Sequence, residues 1–202
     1  MEADFASWLK TEKRVLLHAG GQGRRIPAYA SSGKVLTPIP VLRAERGQKI
    51  DQTLLDLQMP LYEQILQSAP NSIHTLIASG DVMIKAEDPI SIPDADVVCL
   101  GMWEEPSLAS HHGVFMIKRN RTDKLDFMLQ KPSTQTLAQL AQTHYFLMDT
   151  GVWMLSDKAV EKLRQLTMTD NGTVRSYDLC SGRQPFVTEF NAGRSYGKRY
   201  TH

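Results

Sequence analysis

The sequence predicts an α/β protein: a mixed, mostly parallel sheet flanked by helices. Short apolar runs of strand character alternate along the chain with segments of helical period, the order that lays strands side by side through crossovers. The first run, Val15-Leu16-Leu17-His18-Ala19, stops at a cluster of three glycines, Gly20, Gly21 and Gly23. A second, Leu76-Ile77-Ala78-Ser79, stops at Gly80-Asp81. In open sheets of this kind ligands gather beyond the carboxyl ends of the strands, where both glycine clusters fall.

The elements follow in order. Residues 3–12 form a short amphipathic helix with Phe5, Trp8 and Leu9 on one side. Val15–Ala19 is a buried strand that opens a long loop, in which Pro27, Pro38 and Pro40 prevent regular structure. From Asp51 to Gln67 the residues Leu54, Leu57, Leu61, Ile65 and Leu66 mark a helix, with a kink or a boundary expected at Pro60. Strands are expected at His74–Ala78, Asp96–Met102 and Gly113–Lys118. Arg119–Lys124 reads as a turn, and Leu125–Leu129 as the hairpin return. A helix over Ser133–Gln142 precedes two strand pieces, Tyr145–Met148 and Val152–Leu155, and a last helix covers Asp157–Leu166. No internal repeat is present.

Composition narrows the function. The chain has 202 residues, suiting one domain, and 42% hydrophobic content, enough for a proper core. A net charge of +1 gives no bulk attraction to nucleic acid or membranes, and no apolar run approaches the ~20 residues of a membrane span. Two distant cysteines, Cys99 and Cys180, and an acidic start suit a reduced, cytoplasmic setting. His111-His112 has no Cys or acidic residue at ligand spacing, so both are read as loop or pocket-rim residues rather than zinc ligands. Trp8, Trp103 and Trp153 are expected in the core.

The glycine cluster carries the chemistry. Glycines let backbone N–H groups approach phosphate oxygens, and Arg24, Arg25 and Lys34 supply the charge a triphosphate needs. A dinucleotide-binding G-x-G-x-x-G fails because Ile26 stands at the third glycine. A P-loop fails because the gap from Gly23 to Gly33 is too long and Val35, not Ser or Thr, follows Lys34. A plain glycine-rich turn with solvated charges is the other reading of these residues. Asp81 after a strand can hold Mg²⁺, which takes one or two carboxylates and completes its shell with phosphates and water; an ordinary Gly-Asp turn is the alternative.

Leu17, Ala19, Gly20, Gly21, Gly23, Arg25 and Lys34 together resemble the L-x-A-G-G-x-G-x-R…K signature of sugar-1-phosphate nucleotidyltransferases. That resemblance implies a nucleotide-diphospho-sugar transferase (Rossmann-like) fold. It makes Arg25 and Lys34 the catalytic contacts to the triphosphate, and Ala19, Gly20, Gly21, Gly23 and Arg24 the nucleotide cradle. Gly80-Asp81 resembles the family's metal-binding pair. Gln130-Lys131-Pro132 resembles its Glu-Lys-Pro segment, and Asp149-Thr150-Gly151 its Asn-x-Gly element. Lys131, Asp149 and Gly151 are thereby implied in sugar-phosphate binding, with Gln130 and Asp149 departing from the family residues.

The longer strings His18–Tyr29, Asp51–Leu55, Leu76–Asp81 and Leu125–Pro132 resemble the N-terminal part of bifunctional L-fucokinase/GDP-L-fucose pyrophosphorylases, as far as about Asp178. This implies guanylyl transfer from GTP to L-fucose-1-phosphate with Mg²⁺, and no fucose kinase activity in this stretch. A non-catalytic nucleotide-binding fragment, or a transferase for another sugar or base, is the alternative. Residues 1–179 are expected to form the transferase domain, incomplete at its C-terminal end and lacking an evident second metal carboxylate. The Gly- and Arg-rich residues 180–202 are expected to be a poorly ordered or divergent tail.

Overall fold

The strand that opens the glycine-rich loop lies beside the strand that ends in Gly80-Asp81. In the computed structural model, which describes residues 2–18, 34–39, 51–86 and 88–168, the chain divides into two compact units. The first comprises Met1–Cys99 with Gly151–Lys158, the second Leu100–Thr150 with Ala159–His202.

In the first unit, β1 (Arg14–His18) and β2 (Ile73–Ser79) pair in parallel, from Arg14 opposite Thr75 to His18 opposite Ser79. On its other side β2 pairs antiparallel with the second half of β6 (His144–Ser156), from Ile73 opposite Ser156 to Ala78 opposite Val152. Leu76 and Ala78 are buried on one face of β2 by alternation, Ile73 is buried beyond a register irregularity between Ile73 and Thr75, and Val152, Met154 and Leu155 complete this core. Helix α1 (Glu2–Thr11) is tied to β1 by Arg14, whose guanidinium donates to the carbonyls of Trp8, Leu9 and Glu12.

Helix α2 (Leu54–Ser68) starts at a capping box, with Thr53 Oγ1 accepting from Asp56 N and Asp56 Oδ2 accepting from Thr53 N. It continues unbroken through Pro60, so the boundary expected there is absent. Pro60 is solvent-exposed, while Leu54, Gln58, Tyr62, Ile65 and Leu66 anchor the helix on both sides of it. Their burial outweighs the one backbone hydrogen bond a proline removes.

In the second unit, β4 (Gly113–Lys118) pairs antiparallel with β5 (Phe127–Gln130) as the expected hairpin, Gly113 opposite Gln130. Its other edge pairs antiparallel with the first half of β6, from Val114 opposite Met148 to Lys118 opposite His144. Two short helices, α3 (Pro106–Ala109) and α4 (Thr134–Leu140), cover one face. Ala109, Val114, Met116 and Leu137 are fully buried there, with Phe127, Leu129, Phe146 and Met148 packed around them. Strand β3 (Val97–Met102) pairs with β6, and both strands contribute to each unit. Helix α5 (Asp157–Thr167) follows β6.

An α/β class with helices on the sheet is therefore present, but among the described residues the registered strand pairs are not mostly parallel. Only β1–β2 is parallel among the registered pairs; β2–β6, β4–β5 and β4–β6 are antiparallel. A parallel neighbour needs a crossover of a dozen residues or more. The 54 residues between β1 and β2 allow one, whereas the turn from β4 to β5 does not. The two strand pieces expected at 145–155 are one strand of 13 residues, with Gly151 inside it at φ 74°. Two of the three tryptophans also differ from expectation, Trp153 being half-buried in β6. Trp8 is 49% exposed and Trp103 67% exposed. Trp8 lies flat against the Arg14 guanidinium, 4.1 Å from its centre, and Trp103 meets Tyr145 edge-on at 5.7 Å, so each is supported from one side at the surface.

Candidate functional site

The glycine-rich loop itself, with Ala19, Gly20, Gly21, Gly23, Arg24 and Arg25, lies outside the described residues. Its two ends are described. His18 closes β1, and its carbonyl accepts from the Gly80 N–H at 3.1 Å. β1 therefore ends level with Gly80-Asp81, at the carboxyl ends of the parallel β1–β2 pair. At the far end Lys34 begins a 3₁₀ turn, Lys34–Leu36, with Val35 buried. Leu54 N donates to Thr37 O and Ile39 N to Gln52 O, so the segment after Lys34 is fastened to the start of α2.

Asp81 is solvent-exposed one residue beyond Gly80. The Ser79 hydroxyl donates to its Oδ1 at 2.7 Å. Gly151 closes the same corner of the first unit: a Cβ on it would stand 3.0 Å from the Ser79 Cβ, and its φ of 74° is a conformation that favours glycine. No group of three or more His, Cys, Asp or Glu side chains capable of holding a metal exists among the described residues. A single exposed carboxylate still suits Mg²⁺, a hard cation that draws most of its remaining oxygens from phosphates and water.

In the second unit the Lys131 backbone bonds to the residue before Gly113, and Asp149 lies against Gly113 itself. Lys131 follows β5 with φ 47°, the one non-glycine at positive φ among the described residues. Its N–H donates to His112 O at 2.9 Å, which turns the chain at the mouth of the hairpin. A Cβ on Gly113 would meet Asp149 Cβ and Oδ2 at 3.3 Å and the Met128 methyl at 2.6 Å, so β4 approaches Asp149 closely only because Gly113 has no side chain. His111 and His112 are exposed in the turn before β4, in the loop where the sequence puts them. Sequence reasoning passed over Ser79 and Gly113. A hydroxyl two residues before a metal-type aspartate was the available signal for Ser79; nothing local marks Gly113.

At the other end of β4, Asp126 accepts from His144 Nε2 and Lys118 Nζ, both at 3.1 Å. Burial acts to raise the Asp126 carboxyl, but these two donors more than offset it and hold the group below the usual carboxylate range. His144 is fixed on its other side by the Thr143 hydroxyl at 2.8 Å. This network braces the hairpin that carries Lys131.

The sequence profile of the fucose pyrophosphorylase domain matches residues 7–192. The chain belongs to that family. It is 59% identical over 181 residues to the L-fucokinase/L-fucose-1-P guanylyltransferase of Bacteroides fragilis, an overlap covering 89% of this chain and 19% of that protein. It is 26% identical over 166 residues to the bifunctional fucokinase/GDP-fucose pyrophosphorylase of Arabidopsis thaliana, covering 73% of this chain and 15% of that one. The chain thus spans less than a fifth of the length of these relatives. Among the described residues no helix is long and apolar enough to cross a membrane.

Proposed function

We propose that this chain carries fucose-1-phosphate guanylyltransferase chemistry, converting GTP and L-fucose-1-phosphate to GDP-L-fucose and pyrophosphate. The observation that carries the reading is that β1, the strand preceding the glycine-rich motif in sequence, ends level with Gly80-Asp81, its last carbonyl accepting from the Gly80 N–H. The match to a fucose pyrophosphorylase domain supports fucose as the sugar, and the likeness to an L-fucose-1-P guanylyltransferase supports guanine as the base; nothing in the geometry selects either.

An oxygen of the sugar phosphate forms a bond to the α-phosphorus of GTP, and the bond from that phosphorus to the β-bridging oxygen breaks. The electron pair leaves with pyrophosphate. The attacking oxygen is already ionised near neutral pH, since the second pKa of a phosphate monoester is about 6, so no general base is needed. Arg25 and Lys34 steady the triphosphate as charge builds on the leaving group. Ala19, Gly20, Gly21, Gly23 and Arg24 cradle the nucleotide. Lys131 holds the incoming sugar phosphate, with Asp149 and Gly151 on the sugar side. Asp81 would hold Mg²⁺, which when bound supplies neutralising charge to the phosphates.

The test is pyrophosphate release by the purified chain with GTP, Mg²⁺ and fucose-1-phosphate, with ATP and mannose-1-phosphate as controls. Selective release is expected. GTP binding without release would make the chain a non-catalytic nucleotide-binding piece, a reading that the departures at Gln130 and Asp149 favour. Release with mannose-1-phosphate alone would reassign the sugar.

A further inference from the structure

The carboxylate of Asp81 is exposed, and it follows a glycine. Exposure leaves a carboxylate several accessible rotamers unless its oxygens are engaged. Magnesium is exacting in return: it demands near-ideal octahedral geometry and gives up water reluctantly. A carboxylate serving it gains from being held.

Ser79 is placed to hold it. It is the last residue of β2, opposite His18 across the parallel pair, and adjoins Ala78, which faces Val152 on β6. The backbone at this point is thus fixed from both sides. The side chain stands where Gly151 leaves room, with the position of a Gly151 Cβ only 3.0 Å from the Ser79 Cβ. From that frame the hydroxyl donates to Asp81 Oδ1 at 2.7 Å. The donor is neutral, so it orients the carboxylate without cancelling the charge that attracts a cation; a lysine or arginine in its place would compete with the metal.

We propose that Ser79 is a positioning residue for a divalent cation at Asp81: the Ser79 hydroxyl, made possible by the missing side chain at Gly151, holds the carboxylate in its cation-binding orientation. This rests on the assignment of Asp81 as the metal carboxylate. Outer hydrogen bonds of this kind are typically worth 10–100-fold in metal affinity. If the hydroxyl only closed a turn, its loss would touch stability and leave cation binding alone.

The experiment uses Mn²⁺ as probe, with GTP and the full 202-residue chain. Water-proton relaxation enhancement reads the protein-bound cation, GTP binding in EDTA reads the nucleotide alone, and thermal unfolding reads the fold. Ser79→Ala is expected to weaken Mn²⁺ binding about 10–100-fold with metal-free GTP binding and the unfolding temperature close to those of the parent. Ser79→Cys, similar in size but a weak donor, repeats the loss and covers the case in which the alanine variant folds poorly. Asp81→Asn is expected to abolish the enhancement. Parent-like Mn²⁺ binding in both Ser79 variants, with Asp81→Asn inactive in binding, overturns the role of Ser79 and leaves the metal assignment standing. Parent-like binding in Asp81→Asn, or no enhancement with the parent chain, overturns the assignment and this inference together.

Discussion

Replacing Tyr62 by phenylalanine should stabilise the protein. Tyr62 is completely buried on α2, its phenol oxygen has no hydrogen-bond partner among the described residues, and burial pushes its ionisation upward. A buried hydroxyl without a partner costs about 1–3 kcal/mol, judged from protein substitutions. Phenylalanine keeps the ring in its packing and removes only the oxygen, at the expense of a small void. The expected net gain is about 1 kcal/mol, which for a chain of this size raises the unfolding temperature by about 2–4 °C. One turn earlier, both polar atoms of Gln58 are also buried without partners, so Gln58→Met should act in the same direction. The two sites are neighbours, and their gains need not add. Urea unfolding at 25 °C, followed by far-UV circular dichroism, measures the effect as a higher midpoint at unchanged slope. A loss of about 1 kcal/mol or more in Tyr62→Phe would refute the reasoning, since it would require a hydrogen bond at that oxygen.

Gly151→Ala places a side chain at φ 74° with its Cβ 3.0 Å from that of Ser79, and should cost about 1–3 kcal/mol. An unchanged thermal midpoint would contradict it. Lys34→Ala should lower kcat by about 10²–10³ in the pyrophosphate-release assay, the usual loss for one contact made in the transition state. Full turnover would remove Lys34 from the site. Asp126 is held low by His144 and Lys118, Asp96 by Lys158 and Ser156, and Glu161 by Arg164 and Gln165. Carboxyls depressed in the folded state stabilise it above their unfolded pKa of about 4, and that contribution is lost as the pH falls through their folded values. Asp126→Asn should therefore lose less stability than the parent between about pH 4 and pH 2, as read from urea midpoints.

Much of this fold was legible because each strand carries its own apolar run. Gly113–Lys118 matches β4 at both ends, and His74–Ala78 lies within β2. What a single run does not encode is its partner. The antiparallel pairing of β2 with β6 depends on residues far away in sequence, and alternation of strand and helix was a poor guide to direction. Asp149-Thr150-Gly151 fell between two expected strand pieces, yet here the glycine sits inside one continuous strand and permits a close approach. Pro60 was read by its local cost, which tertiary burial of Tyr62 and Ile65 overrides. At the candidate site, the sequence put Asp81 just past a strand end, and β2 ends at Ser79, two residues before it. The Ser79 hydroxyl, two residues before Asp81, was a local signal passed over, whereas Gly113 was invisible because a missing Cβ acquires its role only from a neighbour, here Asp149, that the fold delivers.

The division of β6 between two units bears on synthesis. The first unit is discontinuous: it begins at the N-terminus, but Ile73 finds its antiparallel partner only at Ser156. At a translation rate of about 5–20 residues per second, β2 waits on the order of 4–16 s for that neighbour. Throughout this interval one hydrogen-bonding edge of β2 has no partner, an edge rich in Ile73, Leu76, Ile77 and Ala78 that other chains can template upon. A ribosome pausing between residues 80 and 150 would lengthen that exposure, so the yield of folded protein should depend on codon usage there, independently of any change in the finished structure.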